Sequence, residues 1–395
     1  MRTILLTSLP VFVCLFWSIQ TALELYQRRT RHLGWLLVFM LVSTILYTGH
    51  FLFFNHVTTY ITLSDTLYSL ANLAVYPLYL LYIRSLTHRS RHGHLHWIAL
   101  LPTVVGGALV AGLYLVMNDG EISSFIEQYL YDGQLATLSG AARVQAYVHD
   151  VCKALFALQI VPVFILGGRY IRQFNREVAS AYASTEGKTL HAMHVMLIIF
   201  AFTSLASFVS NLIGRQTFFE IQTLLFIPSL LYSGLLFAIG YIGCRQQFSI
   251  ADIERDERLA ELKEQEVVSP DAEEQLDSHP VTEEKSALCE RIDQVMRDEQ
   301  LFLNPNLKLN DLVVSVGSNR NYVYNAINRE LGVSFNEYVN RMRVDYAVRL
   351  MHEQPSLILA EVGERSGFAS ATSFYRNFRL FQGCSPKEYQ QKLRR

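Results

Sequence analysis

Asn321, Tyr324, Asn325 and Asn328 fall three and four residues apart, so a helix through them presents one face of hydrogen-bonding side chains. An asparagine amide matches the paired donor and acceptor on the major-groove edge of adenine. About fifty residues later Thr372, Tyr375, Arg376 and Arg379 keep a similar spacing, and Arg376 has the chemistry to read guanine or to bind phosphate. Any solvated helix exposes residues of this kind, so neither face alone would carry a reading. Their recurrence does.

The elements around them recur as well. Residues 309–316 are expected to form a helix ending at Gly317, a turn residue that tolerates positive φ. A second helix is expected over 320–331, with Val323, Ile327 and Leu331 as its inward stripe. The later copy has a helix over 358–366, a turn at Gly367-Phe368 and a helix over 370–381 that buries Phe374, Phe378 and Phe381. Gly332-Val333-Ser334-Phe335-Asn336-Glu337-Tyr338 returns as Gly383-Cys384-Ser385-Pro386-Lys387-Glu388-Tyr389. Ser334 with Glu337, and Ser385-Pro386 with Glu388, read as capping boxes. The helix begun by Ser334 runs to Met351 with Phe335, Val339, Met342, Tyr346 and Leu350 inward. At about 1.5 Å per residue it spans roughly 27 Å, enough to hold two reading heads about one DNA turn apart. A leading helix over 287–297 completes an all-α domain of two helix-turn-helix units joined by a linking helix.

The run Val362-Gly363-Glu364-Arg365-Ser366-Gly367-Phe368, followed by Ser373-Phe374-Tyr375-Arg376-Asn377-Phe378-Arg379, Gly383, Ser385-Pro386 and Tyr389, resembles the signature of the AraC/XylS transcription regulators. Asp311-Leu312, Tyr322, Gly332, Phe335, Tyr338 and Arg341-Met342-Arg343-Val344 extend the resemblance to about 287–391. Gly363 and Val313 stand where that family usually has alanine, and Gln390 where a basic residue is common. The resemblance implies base contacts from Asn321, Tyr324 and Asn325, then from Ala371, Thr372, Tyr375 and Arg376. It implies double-stranded promoter DNA and RNA polymerase as partners, a possible homodimer, and no cofactor. The soluble sensing domain usual in that family has no counterpart here.

In its place stands a sequence suited to lipid. The chain is 51% hydrophobic and 17% charged, against about 45–50% and about 25% for soluble domains. Seven stretches reach the roughly 20 apolar residues a spanning helix needs: 4–25, 33–54, 64–86, 95–117, 146–168, 190–213 and 218–242. The first follows Arg2 but is too long for a secretory signal and lacks a small-residue cleavage site, so it reads as a retained helix. Alternate loops hold eleven Lys and Arg against four on the other side. The positive-inside rule then puts the N-terminus outside and the C-terminal domain in the cytoplasm of a bacterial inner-membrane protein.

The expected division is therefore a seven-helix transmembrane sensor domain over 1–245, a linker over 246–285 and the double helix-turn-helix domain over 286–395. Residues 246–284 carry 13 acids and 3 bases, whereas 286–395 carry 15 bases and 12 acids. The linker reads as an exposed charged helix to about Val268 and a flexible stretch after Ser269-Pro270. A short coiled coil is the alternative, with only about two heptads to support it.

Within the apolar part, His50, His56, Asp65, His149, Asp150, Lys153, Arg215 and Glu220 gather at the outer ends of the spans. Interfacial placement accounts for each singly; as a group Asp65, Asp150, Lys153 and Glu220 are the expected signal site. Five scattered cysteines give neither a disulfide framework nor a zinc site, and His191 and His194 lack a third ligand. No phosphate loop, HExxH, nucleophile elbow or kinase signature is present, so no enzymatic activity is expected. The function that fits is a one-component membrane regulator binding promoter DNA in response to an unknown signal. A transporter or membrane enzyme with a regulatory tail, and an anchor for a chromosomal locus, are the alternatives.

Overall fold

The computed structural model describes residues 2–89, 95–213, 225–267 and 283–394. Every regular element among them is helical. The chain divides into two compact units, Met1–Arg172 with Leu190–Gln247, and Gln173–Thr189 with Phe248–Arg395.

The first unit contains α1 (Arg2–Arg28), α2 (Arg31–Phe54), α3 (Ile61–Thr87), α4 (Leu95–Val116), the short α5 (Asp119–Ser124), most of α6 (Gly140–Ala181), α7 (His191–Ile213) and α8 (Phe226–Arg245). Apart from α5, these occupy the seven expected positions. Six are long and apolar enough to cross a bilayer, and the described apolar part of α7, His191–Leu205, is shorter. The unit is inside-out relative to a soluble core. Leu5, Phe12 and Ile19 on α1, Leu101 and Leu109 on α4, and Leu158 and Val161 on α6 are exposed, an arrangement compatible with a lipid surround.

Helix α3 is the exception, buried almost continuously from Leu73 to Ile83 between its neighbours. Small residues bring the helices together: a methyl at Gly240 would lie 2.3 Å from the Trp17 ring, and one at Gly243 2.5 Å from Leu36. Several hydroxyls satisfy themselves within their own helices, with Thr44 donating to the Met40 carbonyl (2.9 Å) and Thr66 to that of Thr62 (2.7 Å), whereas Thr103 donates across to the Leu73 carbonyl (2.9 Å). Between α4 and α6, an Asn118–Glu121 capping box starts α5, and the chain continues through a π-helical turn, Phe125–Tyr131.

The second unit contains α9 (Ile250–Val267), α10 (Glu283–Asp298), α11 (Leu309–Val316), α12 (Arg320–Asn325), α13 (Phe335–Glu353), α14 (Leu359–Arg365), α15 (Ala371–Gln382) and α16 (Pro386–Leu393). It also takes in the last turns of α6 and the segment after them. Two hydrophobic cores form. Ile292, Met296, Leu309, Leu312, Val316, Val323 and Ile327 build the first; Val362, Phe368, Phe374 and Phe378 build the second. The linking helix α13 serves both, through Phe335 and Val339 at its start and Val344, Ala347, Leu350 and Met351 further on.

Two expected core positions are corrected. After α12 the backbone widens into a π turn over Ala326–Glu330, which shifts the phase of the stripe, so Ala326 joins Val323 and Ile327 inside while Leu331 is 43% exposed. Phe381 packs against the second core without being fully buried. The linker helix is also less solvated than its charge suggests: Ile250 and Ile253 are buried, and Ser249 and Asp252 cap its start. Ser385 and Glu388 form the full reciprocal box at α16; Ser334 accepts from the Glu337 amide at α13.

Arg343 lies between the two cores and is 1% exposed. Its Nε donates to the Phe302 carbonyl (2.7 Å), Nη2 to the Asn304 carbonyl (2.7 Å) and Nη1 to Asn340 Oδ1 (3.2 Å). Burial lowers its pKa to about 10, which leaves it charged at neutral pH. The Gly367 turn closes on the same strip of backbone. Its φ is +81°, and a Cβ there would lie 2.6 Å from the Phe302 carbonyl oxygen and 2.7 Å from the Leu303 Cα.

Gly367→Ala therefore combines a disfavoured φ with a clash against main chain, and is expected to destabilise the second unit by about 2–4 kcal/mol. Arg343→Met keeps the bulk but strands two carbonyls, with an expected loss of about 3 kcal/mol. Pulse proteolysis of the full-length protein across a urea series measures both; midpoints within error of wild type would contradict them.

Candidate nucleic-acid interface

Both helix-turn-helix units are built by local rules. In the first, Asp311 accepts the Lys308 amide at the start of α11 (2.9 Å). Gly317, at φ +62°, closes the helix with its N–H on the Val313 and Val314 carbonyls. Asn319 caps α12 by accepting from the Asn321 amide at 2.8 Å. In the second, Ser370 caps α15 by accepting from the Ser373 amide at 3.1 Å. Both recognition-type helices thus start at defined points, as groove-reading helices must.

On α12, Asn321 and Tyr324 are exposed and Asn325 is half-buried. Asn328 differs from them. Its Nδ2 donates to the Tyr324 carbonyl (3.0 Å) and its Oδ1 accepts from the Ser180 hydroxyl (3.2 Å), so its amide is engaged within the fold. On α15, Ala371, Thr372, Tyr375, Arg376 and Arg379 all face outward. Ser373, Phe374, Asn377 and Phe378 face inward, and Asn377 donates to the Ser373 carbonyl at 2.9 Å. Thr372, Tyr375, Arg376 and Arg379 make a polar and cationic face, flanked by the exposed Ala371 and Leu380.

Sequence reasoning passed over the residues at the helix starts. Lys308 precedes α11, and its Nζ lies 2.9 Å from Asp256 Oδ2. Arg320 opens α12, donating from Nη2 to Glu257 Oε1 (2.7 Å) and from Nε to Asn310 Oδ1 (3.0 Å). A cation at the first residue of a helix-turn-helix element is a phosphate-contact signal that the sequence did carry. What it did not carry is the pairing with α9.

The residues expected at the signal site sit in the first unit, where a cavity of about 550 Å³ is lined by Asp65, His149, Asp150 and Lys153 together with Tyr47, Tyr68, Tyr76, Phe156, Phe200 and Tyr232. Asp65 Oδ2 accepts from the Tyr114 hydroxyl at 2.8 Å and lies 2.7 Å from His149 Nε2, whose Nδ1 is 2.9 Å from the Gln145 carbonyl. The two His149 ring nitrogens thus meet a carboxylate and a backbone carbonyl. Asp150 Oδ1 takes the Tyr129 hydroxyl at 2.5 Å and the Lys153 ammonium at 3.1 Å. The structure thus brings Asp65, Asp150 and Lys153 to one cavity and adds His149; Glu220 lies outside the described residues. No group of three or more metal-binding side chains occurs among the described residues.

Comparison with known proteins adds a family to this geometry. A family model described as a helix-turn-helix domain matches residues 312–392. The Msm operon regulatory protein of Streptococcus mutans is 24% identical over 28% of this chain and 40% of its own length. An uncharacterized HTH-type transcriptional regulator of Staphylococcus aureus is 28% identical over 25% of this chain and 13% of its own. The melibiose operon regulatory protein of Escherichia coli is 29% identical over 21% of this chain and 27% of its own. The chain thus spans well under half the length of these relatives. No solved structure matches it. Residues 312–392, which include both recognition-type helices, are a helix-turn-helix domain of the AraC type.

Proposed function

We propose that this protein is a membrane-bound, one-component transcriptional regulator. Its second unit binds specific promoter DNA in the cytoplasm, and its first unit, held in the bacterial inner membrane with the N-terminus outside, takes the signal. The observation that carries the reading is the outward face of α15, Thr372, Tyr375, Arg376 and Arg379, on a helix paired with α12 across the linking helix α13. Asn321, Tyr324, Asn325 and Ala371 are the further base-contact positions; Asn328 contributes only if it leaves Ser180. RNA polymerase and a second copy of the chain are the partners this reading expects, and it requires neither cofactor nor catalysis.

The cavity suits a small molecule of mostly apolar and aromatic character with a polar end. The polar end would meet the Asp65–His149 and Asp150–Lys153 groups. Because His149, Asp150 and Lys153 all belong to α6, which runs unbroken to Ala181, occupancy would bear on a helix that also enters the second unit.

Arg376→Ala is expected to weaken binding to a selected duplex by about 1–3 kcal/mol and to relax preference at one base pair, if it reads a base. If it binds phosphate, the loss is uniform across sequences and the salt slope falls by about one. Gel-shift titrations of the full-length protein in nanodiscs at two salt concentrations distinguish the cases, and unchanged affinity would remove Arg376 from the interface. For the signal site, Asp65→Asn and Lys153→Met should shift the dose response of a promoter reporter while leaving affinity for the duplex within about threefold. A reporter indifferent to both substitutions would leave the cavity without a sensing role.

A further inference from the structure

Three carboxylates from outside the helix-turn-helix repeats, yet inside the same compact unit, lie on the starts of its helices. Asp256 holds Lys308, which precedes α11, at 2.9 Å. Glu257 holds Arg320, the first residue of α12, at 2.7 Å. Glu186 accepts from the Ser370 hydroxyl, which caps α15, at 2.6 Å. Side chains at such helix starts are the ones that grip the DNA backbone in helix-turn-helix complexes, through lysine, arginine and small hydroxyl donors. A carboxylate makes the same charge-assisted bonds to these donors as a phosphate does.

We propose that Asp256, Glu257 and Glu186 form an internal mimic of the DNA backbone, so that this arrangement is a closed form that competes with DNA for both helix-turn-helix units. The inference rests on the DNA-binding reading and adds its regulation. The geometry distinguishes this from simple packing. In the two ion pairs the acids are the more buried partners, at 17% and 13% side-chain exposure for Asp256 and Glu257, whereas Lys308 and Arg320 keep 41% and 32%; Glu186 is itself exposed. The cations therefore remain at the surface that DNA would approach, with the carboxylates behind them. Asp256 is also fixed from the scaffold side, since the Tyr182 hydroxyl donates to it at 2.6 Å. Burial pushes the Asp256 pKa up, but the Tyr182 and Lys308 bonds outweigh it and the net shift is downward, which keeps the carboxylate charged.

Release is within reach of a signal because partly exposed ion pairs of this kind are weak. The faces that read bases stay open: Asn321, Thr372, Tyr375 and Arg376 are exposed in the same arrangement. Apart from Asn328, which Ser180 holds, only the backbone-gripping positions are taken. Ser180, Tyr182 and Glu186, which hold Asn328, Asp256 and Ser370, all lie at the end of α6 or just beyond it.

The test uses full-length protein in nanodiscs and a duplex that the wild type enriches from a randomised library. The Asp256→Asn/Glu257→Gln variant should bind this duplex about tenfold more tightly or better, and adding Glu186→Gln should tighten it further. Glu290→Gln/Glu353→Gln removes the same charge from acids outside these contacts and should change affinity by less than about threefold. A second arm does not depend on removing contacts. Oxidation of a Ser180→Cys/Asn328→Cys variant, with the cross-link verified by mass, should abolish binding that reduction restores. The proposal is overturned if the acid variants bind no more tightly than wild type, if the control pair tightens binding equally, or if the cross-linked protein binds as well as the reduced one. If neither wild type nor any variant binds DNA with a salt-dependent affinity, the DNA-binding reading itself falls.

Discussion

The buried guanidinium of Arg343 is the interaction on which the geometry of the second unit depends. One side chain from the linking helix holds the carbonyls of Phe302 and Asn304, which border the first core, and its charge lies 5.8 Å from the Phe368 ring, which belongs to the second. A buried charge is tolerated only where its donors are satisfied, so the position is demanding in direction as well as distance. Gly367 presses the second turn onto the same stretch of main chain, and no residue with a Cβ would fit. Two three-helix units that could otherwise rotate about α13 are thereby given one relative orientation. Reading two successive parts of a duplex requires that, because groove spacing is set by the DNA.

The first unit meets a different constraint. Its helices turn large apolar side chains outward and keep much of their polarity inside, where polar side chains bond to one another in linked chains. Asp65, Tyr114, His149 and the Gln145 carbonyl form such a chain, as do Asp150, Tyr129 and Lys153. Ionisable groups placed there are costly. They converge on one cavity rather than dispersing along the helix ends.

Helix α6 and its following segment give the fold its continuity. Ala183 sits in the first core of the second unit, its N–H on the Leu307 carbonyl and its own carbonyl taken by Asn336 and Asn340. A loop between two apolar helices has thus become part of the DNA-binding unit. The charge pattern is consistent with this. The acidic run after α8 is not merely a solvated spacer, since Asp256 and Glu257 face cations on α11 and α12, while Ile250 and Ile253 face inward.

Hydrophobic periodicity, capping residues and turn glycines determined the helices on their own, because these signals act within a few residues of chain. Leu309–Val316, the Ser385 capping box, the Gly317 and Gly367 turns and the outward face of α15 were all legible in this way. So were the apolar runs, six of which form helices long enough to cross a bilayer among the described residues. Three-dimensional packing alone decided the rest. The π turn that exposes Leu331, the union of Asp65 with His149 across 84 residues, and the placing of Glu186 and Asp256 on helices far along the chain depend on contacts between distant segments. A single sequence shows which residues can make such contacts. Which partner each one takes is set only when the helices pack.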